Sequence, residues 1–418
     1  NNAALKWINR QLVKAKPSFH KRTFLKPFHQ EAEFCATCHK VHLPEELNDY
    51  KWLRGQNHYD SFLLSGVSGH GARSFYYPKT AEKNCNQCHM PLHASDDFGA
   101  QRYDNSKERS IHDHTFLGAN TALPYWNNDA ESVLAHQEFL EDSVRIDIFG
   151  LREGGRLDGK LNAPLRPKVP PLEPGKSYLL ETVIRTLTLG HHFTQGTTDS
   201  NEIWLQLRIT DANGQLIAES GAIRPDGQVD PWSHFVNTFM LDRQGNRISR
   251  RNAQDIFVPL YSHQIPPGAA QTIHYRLDVP EDAGASLAVE ARLLYRKFDQ
   301  SYIDYIVKQH PADGPPLANW SVGQQVVNSL PITTLASDRV QFAIGEEREP
   351  ASHHPASEIP VWQRWNDFGI GSLLKGTSEL RQAEAAFEQV EKLGRFDGPL
   401  NLARVYFEEG RLDEAVAA

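Results

Sequence analysis

One pentapeptide pattern, present twice, restricts this chain more than anything else in it. "CATCH" runs from Cys35 to His39 and "CNQCH" from Cys85 to His89, and the two runs use all four cysteines of the 418 residues. The Cys-x-x-Cys-His spacing reads as c-type haem attachment. One helical turn brings two thiols to the two vinyl groups of a porphyrin, and the next residue offers its imidazole to the iron from the same face. Cys35, Cys38, Cys85 and Cys88 are therefore expected as thioether anchors of two covalently attached haem c groups. His39 and His89 are expected as the proximal iron ligands.

Other uses of paired cysteines fit less well. Zinc ribbons place roughly 15–20 residues between their Cys pairs, whereas 46 separate Cys38 from Cys85. Zinc also makes no demand for His directly after each pair. The chain has 19 His, so composition alone puts His at both positions in roughly 0.2% of cases. A redox dithiol of the thioredoxin kind needs a βαβ setting, and Gly- and His-rich loops surround these pairs instead.

Three compositions succeed one another. Residues 1–143 hold eleven of the His, all the Cys and many aromatics. Periodic segments are few there: short helices are expected near 3–14, near 129–141 and after each motif. Such a loop-rich dihaem cytochrome segment folds because the porphyrins, large apolar discs, supply most of its core. Residues 144–345 switch to period two. Ile203, Leu205, Leu207 and Ile209 share one face of "EIWLQLRIT"; Ile273, Tyr275, Leu277 and Val279 share one face of "QTIHYRLDV"; Leu287, Val289, Ala291, Leu293 and Tyr295 do so in "SLAVEARLLY". Turn signals between them, such as "DANGQ" and "DRQGN", predict an antiparallel β-sandwich. Pro-rich "APLRPKVPPLEPG" (163–175) reads as an extended lead-in strand or linker. A polar, Pro-rich linker is expected over 346–360. From 361 to 418 an Ala-rich helix-turn-helix pattern follows, with Ala383 and Phe387 at the A-x3-F spacing of a tetratricopeptide repeat. The fold class expected is multidomain α+β.

The sixth iron position is the next question. Methionine is nearly excluded, because the chain has only Met90 and Met240; the first adjoins a proximal His and the second sits in a predicted strand. The sixth ligand is then His, water or a residue from elsewhere, and paired imidazoles favour ferric iron and low potentials. His114, His29, His112 and His70 lead the candidates. His29 lies in "FLKPFHQE" just before the first motif, and His70 in the Gly-rich "SGVSGHGARSF". His112 and His114 alternate in an extended segment, so their rings point the same way. His42 and His93 follow the proximal residues closely and are expected on the same helices, facing away. His58 and His136 are weaker. His191 and His192, in "LGHHFTQG" at a strand end, could reach a haem edge from the sandwich. A lone His in such a segment more commonly contacts a propionate or a carbonyl than an iron.

Thioether attachment occurs outside the bacterial cytoplasm, so a periplasmic or extracellular location is expected. "NNAALKWINRQLVKAKPSFHKR" at the start lacks the apolar core of a signal peptide or membrane span. The end, "LARVYFEEGRLDEAVAA", stops within a helical pattern with no cap. The start fits either a removed export signal or an excerpt of something longer, and the end supports an excerpt. The net charge of -8 provides no basic footprint for nucleic acid.

"FLKPFH", "CHKVHLPEELNDYKWLRG", "SGVSGHGARSFYYP", "CHMPL" and "IHDHTFLGANTALP" together resemble large multihaem c-type cytochromes with a β-sandwich and a C-terminal tetratricopeptide array. The resemblance implies an electron-transfer protein of the bacterial envelope, often membrane-anchored at its N-terminus. It also implies further haem motifs upstream of the part seen here, and redox proteins, other cytochromes or copies of itself as partners. By the same likeness His112 or His114, and His29, are implied as axial ligands. Two other functions stay open at this point. An open iron site with Arg73, Tyr76, Tyr77 and His70 as anion donors would make a reductase or oxidase of a small nitrogen or sulfur compound. A haem-wired structural subunit of a cell-surface assembly is the third. Nucleophile–base motifs, phosphate loops and dinucleotide fingerprints are absent from the sequence.

Overall fold

The period-two segments become strands because their alternate residues have a core to enter. In the computed structural model, which describes residues 2–49, 52–97, 99–103, 105–195, 201–311, 326–345 and 354–418, they build two antiparallel sheets. In the first, Ser286–Arg296 lies between Thr333–Ala343 and Glu202–Asp211, whose far edge carries Leu216–Ser220 and His234–Phe235. In the second the order is Ala270–Asp278, Ser177–Thr186, Val144–Glu153, Leu161–Asn162. Register places Val289 opposite Ile209 on one side and Val340 on the other. Leu205, Leu207, Val289 and Leu293 from the first sheet join Ile146, Ile148, Leu180 and Ile184 from the second in one continuous buried cluster. A side chain of this size contributes roughly 1.5–3 kcal/mol when fully buried, so the alternation fixes both register and facing.

Helices close the chain. Val361–Leu373, Leu380–Lys392 and Asp397–Glu409 pack in succession, and the first lies on the strand Ala270–Asp278. Two glycines permit that fit: a Cβ on Gly371 would stand 2.3 Å from Thr272 Oγ1, and one on Gly369 would stand 2.6 Å from the Phe387 ring. Ala383 and Phe387 are both fully buried. Ion pairs fix the same helix to the sheet. Buried Arg364 grips both carboxylate oxygens of Asp147 at 2.7 Å. Asp367 pairs with Arg145 and Arg185 and accepts the Tyr76 hydroxyl at 2.6 Å. The protein is thus mixed α+β, with antiparallel sheets and a C-terminal helical region.

The N-terminal segment has short elements and little core. Ala3–Ala15 and Ala130–Leu140 are helical as expected; the first motif lies in Ala32–His39, and the second runs from Cys85, the N-cap, through the short helix Asn86–His89. One expectation needs correcting: the motif helices stop at the proximal His. Lys40–His42 turns into a strand paired with Trp52–Asn57, and Leu92–Ala94 pairs with Ser110–His112. His42 and His93 therefore stand on strands. Three-residue strands are too short to display an alternation, and their pairing is a tertiary matter. Residues 346–353 of the expected linker lie outside the described residues. Among the described residues no helix is long and apolar enough to cross a membrane.

Candidate functional site

The two motifs meet although 46 residues separate their cysteine pairs. The Asn84 side-chain amide donates to the Gln30 carbonyl at 2.8 Å, and that of Asn86 donates to the His29 carbonyl at 3.4 Å. Cys35 Sγ stands 3.9 Å from Asn86 Oδ1. All four cysteines are free thiols. A hydrogen bond shared with Cys85 draws the Cys35 thiol down to about 7, and the same bond, with burial, pushes Cys85 up. Among the described residues no group of three or more His, Cys, Asp or Glu converges to hold a metal ion; the two pairs do not assemble a single four-thiolate centre.

Four imidazoles form a row from one motif to the other. His39 and His58 have ring centres 5.0 Å apart and nearly perpendicular planes, and His58 and His191 repeat this at 5.1 Å. His191 and His89 are 6.0 Å apart with planes only 7° from parallel. His89 Nδ1 lies 2.6 Å from the Leu117 carbonyl, and His191 Nδ1 lies 3.1 Å from that of His192. A carbonyl only accepts, so both Nδ1 atoms carry a proton. His58 Nδ1 is buried and makes no hydrogen bond, which costs roughly 1–3 kcal/mol. Burial, then the neighbouring His191, pushes His58 down to about 2; burial pushes His191 down to about 4. Both rings are neutral at pH 7, the form that binds metal.

Local structure explains these positions. Asn57 caps the helix His58–Leu63 by accepting the Asp60 N–H at 3.2 Å, which fixes His58 at the helix start. The loop with His191 is held at both ends: the Leu187 N–H donates to the Ser143 carbonyl at 2.8 Å, and Phe193 exchanges backbone bonds with Ile265 at 2.9 and 2.6 Å. Gly190 lies against the N-terminal segment, where an added Cβ would meet the Phe62 ring at 3.4 Å. The Gln195 amide donates to Ser61 Oγ at 3.4 Å. Lys297 donates to the Ala119 carbonyl at 2.9 Å, and burial pushes its amine down to about 7.

The other histidines lie outside the row. His112 Nδ1 donates to the Met90 carbonyl at 2.6 Å, and its ring faces Tyr103. His114 meets the Phe116 ring edge-on. His29 packs on Phe34 while its carbonyl holds Asn86. His70 donates its backbone N–H to Ser68 Oγ at 3.2 Å. His93 sits 3.1 Å from the Asp113 carboxylate. Tyr76 is committed elsewhere: its hydroxyl is bound to Asp367, and the Arg185 guanidinium lies 3.8 Å over its ring. It is therefore not placed to bind a small anion.

Sequence reasoning ranked His58 and His191 below His114, His29, His112 and His70, yet the fold brings these two to His39 and His89. The donor set suits a porphyrin: thiol pairs one helical turn apart, imidazoles with anchored Nδ1 atoms, and exposed apolar side chains beside the motifs, Phe34 and Leu92 among them.

No family model matches the chain, and no curated protein matches it. Among solved structures, a penta-heme cytochrome c552 from Thermochromatium tepidum is similar at a TM-score of 0.41 and 16% identity, over 75% of this chain and 57% of that one. The sporulation control protein Spo0M from Bacillus subtilis is similar at a TM-score of 0.18 and 9% identity, over 55% of this chain and 56% of that one. These likenesses are remote. The chain spans little more than half the length of either neighbour.

Proposed function

We propose that this chain is part of an extracytoplasmic multihaem c-type cytochrome that passes electrons between redox partners. Cys35 and Cys38 hold one haem and Cys85 and Cys88 a second, with His39 and His89 as proximal ligands; each haem supplies one-electron chemistry when bound. The row His39–His58–His191–His89 carries this reading, because it puts both attachment motifs in one compact cluster of imidazoles.

In this reading residues 1–143 are the redox module, 144–345 a β-sandwich, 346–360 a linker and 361–418 the start of a tetratricopeptide array. The sandwich and the repeat array position the module against other cytochromes or further copies. The location is the periplasm or cell exterior.

Expression in a host with the c-type maturation machinery tests this. The denatured chain should carry the added mass of two porphyrins, and its pyridine haemochrome should report two haems per chain. A chain of unmodified mass, or one that copurifies with zinc, overturns the reading. Low-spin spectra indifferent to CO favour electron transfer; a high-spin site that binds nitrite or CO favours catalysis instead.

A further inference from the structure

We infer that His191, carried by the loop after the strand Ser177–Thr186, is the iron ligand opposite His89, so that the sheet region completes a redox centre begun by the second motif. This rests on the haem reading above and goes beyond it by naming the ligand and the region that supplies it. Imidazoles on opposite faces of one metal, each bonded at about 2.0–2.1 Å, stand with ring centres roughly 6.3 Å apart. His89 and His191 are separated by 6.0 Å, with ring planes 7° apart. The other neighbours in the row do not meet this test: His39–His58 and His58–His191 are at 5.0 and 5.1 Å.

Chemistry and anchoring agree with the distance. Each of the two rings has its Nδ1 fixed on a backbone carbonyl, at Leu117 and His192. Such a bond orients a ligating His and raises its basicity. The loop is tied to its own sheet at Leu187 and Phe193 and seated on the N-terminal segment through Gly190 and Gln195. His191 therefore cannot drift far from His89 without breaking contacts at several points. His192, the next residue, has its carbonyl committed to His191 and is the natural control.

The test uses the full chain carrying its haems. His191→Ala should keep two haems by mass and pyridine haemochrome, since thioether attachment does not involve it. One of the two haems should turn high-spin, bind CO, and return to low-spin on adding imidazole. His191→Met, which keeps a ligand of similar reach, should leave both haems low-spin and raise the potential of one. His192→Ala should change neither property. In the wild type, near-parallel imidazole planes should give one haem a rhombic low-spin ferric EPR signal. Both haems remaining low-spin at unchanged potentials in His191→Ala and His191→Met overturns the assignment while the haem reading stands. A wild-type chain without porphyrin overturns the haem reading itself.

Discussion

The N-terminal segment and the sheet-and-helix region solve the same problem in opposite ways. In the second, the polypeptide buries its own apolar side chains: Leu205, Leu293, Phe342 and Phe387 are wholly inaccessible. In the first, Trp7, Phe19 and Phe24 are more than half exposed, and the described residues up to 143 that reach burial are few and mostly small, such as Ala32, Ala100 and Ala122. Apolar area left in water gives up roughly 25 cal/mol per Å². A segment with this much of it needs another body to close its core, whereas the sheet region needs none. On the proposed reading the haems would be that body, contributing to folding as well as to function.

The largest effect should follow from removing all four thiols. A chain with Cys35→Ser, Cys38→Ser, Cys85→Ser and Cys88→Ser should carry no porphyrin. Limited proteolysis should then digest it up to about the Val144–Glu153 strand and leave the sheet and helices intact, as mass spectrometry of the fragments would show. Equal resistance of both regions would mean that the N-terminal segment closes on itself, and the contrast would fall.

Single substitutions sharpen it. Leu293→Ala, at a fully buried site between the sheets, should cost about 4 kcal/mol in denaturant unfolding, from lost transfer energy plus a cavity. Phe24→Ala in the thiol-free chain should stay within about 0.5 kcal/mol, as exposed sites do. Arg364→Met leaves Asp147 buried with Arg166 as its remaining cation. That should cost about 3 kcal/mol, the low end for breaking a buried pair, and should loosen the C-terminal helices first.

The two regions also differ in how far their sequence discloses them. Alternation over nine or more residues, as in Ala270–Asp278 and Ser286–Arg296, marks strands and their inward faces without reference to anything distant. The Cys-x-x-Cys-His spacing is equally local, since one helical turn contains it, and the attachment chemistry proposed above is read from it alone. The rest depends on contacts between remote parts. Lys40–His42 is a strand because Trp52–Asn57 pairs with it. His58 and His191 meet only because the loop after a sheet strand is seated on a helix of the other region. Nothing within a few residues of either His announces that meeting. The double His at 191–192 is the one local hint, and it has an ordinary turn reading as well.

The smallest effect concerns pH, and it belongs to the sheet-and-helix region alone. His274 places Nδ1 on Glu181 and Nε2 on Glu379, with Lys375 also close to Nε2 and Arg152 paired to the far side of Glu181. Burial by itself would lower its pKa, but the hydrogen bonds to Glu181 and then Glu379 outweigh burial and the Lys375 charge, and the net shift is upward from 6.5. The folded protein therefore holds this proton more tightly than the unfolded chain does. Below 6.5 both states are protonated and the stabilisation is complete. Above it the unfolded chain has lost the proton that the folded one keeps, so stability falls with rising pH until the raised folded value is passed. Denaturant midpoints of the thiol-free chain, measured between about pH 6 and 9, should decline for the sheet transition, and His274→Gln should flatten that slope. A slope unchanged by the substitution would assign the proton to another group. Because the pair His274–Glu379 joins the strand Ala270–Asp278 to the helical region, the same titration should first show in how firmly those helices are held.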